Sequence, residues 1–203
     1  MLVRAGCAPV AIVLLLCSCV TAPGIERRVI ERSKREAPRW SEMKANTLAD
    51  QEGKLALVAV KSHVLDLPLG IKQVQLSALT ASQNAIHESV VKEVRAAALQ
   101  AGIAVKNQGD LDQRVMRAVR KIHGTSAQIA DIYYEQVEER ESEKDRAALY
   151  YQIFVLVNFS KEKLPSIVNE LCQNLKQAKD ADLHRLADAM KGRSIPTFEI
   201  PNT

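Results

Sequence analysis

The sequence predicts an α+β fold: a small antiparallel sheet packed against helices, in the order strand, two helices, β-hairpin, C-terminal helix. Three observations carry this reading. From Pro68 to Ala101, apolar residues recur at three- and four-residue steps: Ile71, Val74, Leu79, Ile86, Val90, Val94 and Ala98. Between Asp131 and Phe159 the period switches to two, on either side of a charged turn at "ESEKDR". Beyond Pro165 the helical step returns, through Ile167, Val168, Leu171, Cys172 and Leu175.

Length and composition bound the rest. A chain of 203 residues, 26% charged and 47% hydrophobic, has enough apolar material for one globular domain with appendages. The net charge is +4, with basic and acidic residues mixed along most of the chain. No basic patch is interleaved with aromatics, so nucleic acid is excluded as the expected partner.

The amino terminus is organised for processing. Arg4 precedes a run without charge, Ala8 to Leu16, that is about half the length a membrane-spanning helix needs. A positive start, a short apolar run and a small residue before a cut are the layout of a secretory signal. Leu16-Cys17-Ser18-Cys19 resembles a bacterial lipobox, in which a small residue precedes a cysteine that takes up diacylglycerol through its thiol. Ser18 is small and stands before Cys19. Leu16 would fill that place before Cys17 and is too bulky. Cleavage is therefore expected between Ser18 and Cys19, with lipid on Cys19. Cys7 and Cys17 leave with the signal, and Cys172 remains in the body as a buried thiol on an apolar stripe. The resemblance further implies outer-membrane sorting, because Val20 rather than Asp follows Cys19.

Four segments follow: 1–18 signal peptide, 19–37 lipid-anchored tether, 38–192 globular domain, 193–203 tail. The tether is dominated by charge from Glu26 to Glu36, with Arg27, Arg28, Arg32, Lys34 and Arg35. A solvated linker or frayed helix is the first reading, and attraction to anionic headgroups the second. Trp40, the single tryptophan, is expected to plug the edge of the core with its N–H bonded. "KLALVAVKS" (Lys54–Ser62) is read as a strand.

The Pro68–Ala101 helix ends at Gly102, and its Ser/Thr/Asn-rich middle, "SALTASQNAIHES", marks a place for a break. A second helix is expected from Asp110, as N-cap, to Ile122, with Gly124 ending or bending it and Ser126 to Ala130 continuing it. In "AALYYQIFVLVNF" both faces are apolar, so this strand is expected to be central or covered on both sides. A third helix starts near Pro165 and Gly192 stops the helices. The tail "IPTFEIPNT" is extended, with Phe198 and Ile200 placed to dock.

Pro38, Trp40, Leu55–Val60, Ala78–Ile86 and Tyr151–Lys161 stand in an order that resembles the LPP20-type bacterial lipoproteins and related flagellar accessory lipoproteins. The resemblance spans roughly Pro38 to Leu175. It implies an envelope or motility-associated structural role and supplies no catalytic residues.

Chemistry-bearing constellations are sparse. His63, His87, His123 and His184 share no zinc-ligand spacing, so no metal is expected. No nucleophile elbow, phosphate loop or dinucleotide fingerprint occurs, so neither catalytic residues nor a cofactor is expected. His63 and Asp66 near a strand end read as turn chemistry. Glu135, Glu138, Glu139, Glu141 and Glu143 read as a solvated acidic turn. Asn158-Phe159-Ser160 matches a glycosylation sequon and is expected to be inert. The expectation is a non-enzymatic, membrane-anchored lipoprotein whose partners are the membrane, other envelope proteins or itself. The alternative is a carrier with an apolar pocket for a small molecule or lipid.

Overall fold

A computed structural model describes residues 26–51, 53–140 and 146–193. Among these lie five strands and four α-helices: β1 (Glu26–Arg32), β2 (Leu48–Gln51), β3 (Lys54–Val64), α1 (Leu67–Gln100), α2 (Gln108–Ser126), β4 (Ala127–Arg140), β5 (Ala148–Ser160), α3 (Leu164–Lys176) and α4 (Ala181–Met190). The strands form one antiparallel sheet in the order β1-β4-β5-β3-β2. The chain is an α+β fold, with the longest hairpin, β4–β5, at the middle of its sheet.

The helices cover one face. There Leu55, Leu57, Ile153, Val155, Val157 and Phe159 of β3 and β5 are sealed in a core with α1, α2, α3 and α4. α1 is anchored at its start by Asp66, whose carboxylate accepts from Leu69 N at 2.9 Å. Its buried residues step by four: Gly70, Val74, Ala78, Ser82, Ile86, Val90 and Val94. Each such step advances about 40° around a helix of 3.6 residues per turn, so the seam winds around α1 instead of holding one face. α1 thus packs against β3 and β5 and also against α2 and α4. Small residues permit its close approach to the sheet. A Cβ on Gly70 would lie 2.3 Å from Val64 Cγ1 and 2.8 Å from Ile153 Cδ1.

The opposite face is covered by the connection from β1 to β2, which crosses the sheet from one edge to the other. Trp40, in a single 3-10 turn at Arg39–Glu42, and Met43 pack on Ala56, Val58 and Leu156, flanked by Val60 and Phe154. This strap is why β5 is apolar on both faces.

Several expectations need correction. Glu26–Arg32 is neither linker nor helix but the edge strand β1, so part of the supposed tether belongs to the sheet. β2 went unread, because "LADQ" is too short and polar to announce a strand. α1 does not break in its middle; burial of Ala78, Ser82 and Ile86 outweighs weak propensity. Asn107, not Asp110, caps α2, accepting from Asp110 N at 3.0 Å. α2 ends at Ser126, and 127–130 is the start of β4 rather than more helix. The signal, Cys19, Glu141, Glu143 and the tail with Phe198 and Ile200 lie outside the described residues.

Candidate functional site

The two sequence-predicted site residues, Ser18 and Cys19, lie outside the described residues, and six residues separate Cys19 from Glu26, the start of β1. The described residues carry four further groups of polar side chains.

The first fastens the strap. Asp131 accepts Trp40 Nε1–H at 3.0 Å, Lys34 Nζ at 2.6 Å and Ile132 N–H at 2.9 Å. A bulge between Ile129 and Asp131 turns this carboxylate toward the strap. Burial alone would raise its pKa. The Lys34 ammonium and the Trp40 and Ile132 N–H groups outweigh that and hold the carboxyl below its usual range. Trp40 is thus the bonded core-edge plug the sequence implied.

The second is the β1–β4 ladder. The register sets Glu26 opposite Arg140, Arg27 opposite Glu139, Arg28 opposite Glu138 and Arg32 opposite Glu135. The basic stretch read as tether and the acidic stretch read as a solvated turn are therefore two complementary strands. Arg32 Nε lies 3.4 Å from Glu135 Oε1. On the strap side, Tyr133 donates to Glu135 at 2.7 Å and Tyr150 to Glu139 at 2.6 Å, and Arg27 donates to Gln152. Burial and the Glu135 carboxylate push the Tyr133 phenol up to about 12. Burial and Glu139 raise Tyr150 as well. The His63 ring stacks on Tyr150 at a centroid distance of 4.2 Å. His63 and Asp66, named together from the sequence, therefore separate: one stacks on the sheet and the other caps α1.

The third is a groove of about 370 Å³, open to solvent, between α1 and α2, lined by His87, Glu88, Val91, Lys92, Arg95 and Asp112. His87 Nε2 lies 3.3 Å from Asp112 Oδ1 but makes no hydrogen bond among the described residues.

The fourth is sealed in the core. His123 Nε2 meets Ser82 Oγ at 3.2 Å, and the imidazole stacks on Phe159 at 5.8 Å. Burial lowers the His123 pKa. A neutral imidazole paired to a hydroxyl satisfies both buried groups. Among the described residues the pair has no carboxylate partner, both side chains are buried, and their contact ties α1 to α2. Cys172 lies on the buried stripe of α3, and its Sγ contacts Ala187 O at 3.4 Å.

Among the described residues no three His, Cys, Asp or Glu side chains are grouped to hold a metal, and no helix is long and apolar enough to cross a membrane. Comparison with protein-family models, with curated proteins and with solved structures yields no significant match.

Proposed function

We propose that this chain is a lipid-anchored envelope protein with a structural or protein-interaction role, of the kind the LPP20-type resemblance implies. The observation that carries the proposal is Leu16-Cys17-Ser18-Cys19 at the end of the uncharged run Ala8–Leu16. The mechanism is confinement. Lipid on Cys19 holds the domain against one surface and raises its effective concentration for neighbours there. The sheet offers such neighbours an edge. β2 pairs only with 54–57 of β3, so 58–64 has no strand partner on that side among the described residues. The positive-φ His63 and the bulge between Lys61 and Val64 limit uncontrolled pairing along it.

The anchor is tested by metabolic labelling of cells with a radiolabelled fatty acid. Label is expected on the wild-type chain and absent from Cys19→Ala; equal labelling sinks the proposal. Crosslinking in intact envelopes tests the interaction role, and a chain that captures no protein, itself included, argues against it.

A further inference from the structure

We infer that the end of the sheet nearest Cys19 is a lipid-docking face, on which Leu65, Leu69 and Leu149 enter the bilayer interface. The inference rests on the proposed anchor and adds an orientation to it.

Topology brings these residues together. β1 starts at this end with Glu26, opposite Arg140 at the close of β4. β5 starts there with Ala148, opposite Glu139, and β3 ends there with Val64 opposite Tyr151. α1 starts there too, directly after β3. Of the large apolar side chains left in water among the described residues, Leu65 is 82% exposed, Leu69 54% and Leu149 51%, and these three belong to this end, whereas Ile30, 45% exposed, lies four residues along β1 from it. Leu76 lies two turns along the same face of α1 as Leu69, about 10 Å further from that end. Leu99, also 82% exposed, lies at the far end of α1.

The occupant follows from chain length. Val20–Ile25 is all that separates Cys19 from Glu26. Fully extended, that span reaches at most about 25 Å, so an acylated Cys19 keeps this end of the sheet beside the membrane. Leucines held there gain by leaving water for the acyl boundary. Among the described residues, Glu26 stands opposite Arg140 and Arg27 opposite Glu139 at this end, so we assign attraction to anionic lipid a minor contribution.

The test uses the full lipidated protein in proteoliposomes. Nitroxide labels are placed at Leu65→Cys, Leu69→Cys, Leu149→Cys and, as control, Leu99→Cys, each in a Cys172→Ala background whose fold is checked by circular dichroism. Intact mass reads the lipid on Cys19. Power-saturation EPR reads depth from the ratio of oxygen to nickel-chelate accessibility. The expected result is a raised ratio at the first three positions, an aqueous value at Leu99, and the same pattern in zwitterionic and anionic vesicles. Aqueous values at all four positions in an acylated chain overturn the docking face and leave the anchor standing. Spin–spin broadening at the three positions means a second copy covers them, and a raised ratio only in anionic vesicles means charge seats them; either overturns the inference. A chain without lipid on Cys19 overturns the anchor, and the face with it.

Discussion

Trp40 Nε1 donates to Asp131 Oδ2 across 3.0 Å, joining the strap to a strand 91 residues further along the chain. The bond fixes how the strap crosses the sheet, and the strap is what covers Val58 and Leu156 on the face opposite the helices. Asp131→Ala removes the acceptor shared by Trp40, Lys34 and Ile132. The carboxylate is about a third exposed, so solvent screens part of its worth. A loss of about 1–2 kcal/mol is expected, read as a lower urea midpoint together with a red-shifted, more quenchable Trp40 emission.

The same carboxyl sets an acid limb. Its folded pKa is depressed, so its contribution is fully present above the ordinary carboxylate value. It is lost as pH falls through the depressed folded value. Urea midpoints followed from about pH 5 downward are expected to fall less steeply in Asp131→Asn than in the wild type. Parallel slopes refute the assignment.

His123 acts in a different window. Its folded pKa is lowered by burial, so the unfolded chain takes up a proton that the folded one refuses. Stability is expected to decline as pH falls below about 6.5 and to level off once the folded state also protonates. The double variant Ser82→Ala/His123→Phe removes the titrating group and its partner together. Its midpoint is expected to be flatter across that window, and a slope equal to that of the wild type would falsify the account.

Glycine replacements on two helices are expected to move stability in opposite directions. Gly70→Ala drives a methyl to 2.3 Å from Val64 Cγ1 under the sheet and is expected to cost about 1–3 kcal/mol despite better helix propensity. Gly124, near the end of α2, has nothing within 4 Å of an added Cβ and no positive φ, so Gly124→Ala is expected to gain about 0.5–1 kcal/mol. Thermal denaturation of the two variants checks both signs.

Legibility from the sequence tracks how local the cause is. The β4–β5 hairpin, α1, α3 and the bonded Trp40 were readable because period, turn residues and an isolated aromatic report local or one-body preferences. β1 was not, because "ERRVIER" reads as a soluble, charged stretch until "EQVEER" is laid beside it in register. The Ser82–His123 pair was hidden for the same reason: 41 positions separate its members. α1 showed the opposite failure, an apparent weak middle made stable by packing that its own residues do not announce. The pattern Leu16-Cys17-Ser18-Cys19, on which the proposed anchor rests, is a short linear one that depends on no fold, and it lies outside the described residues.

β1 is exposed along most of its length, with Val29 against Val137 and Glu31 against Gln136 among four oppositely charged pairs. Cross-strand pairs contribute about 0.2–1 kcal/mol each, so β1 is held by a sum of small, salt-sensitive terms while β3 and β5 are held by the core. Amide hydrogen exchange is expected to show β1 opening well before β3 and β5. The triple reversal Arg27→Glu, Arg28→Glu, Arg32→Glu sets like charges along β4 and is expected to abolish protection in β1 while leaving that of β5 near wild type. Added salt is expected to weaken β1 protection in the wild type and partly restore it in the reversal. If salt moves the two proteins in the same direction, the complementary ladder is not what holds β1 to the sheet.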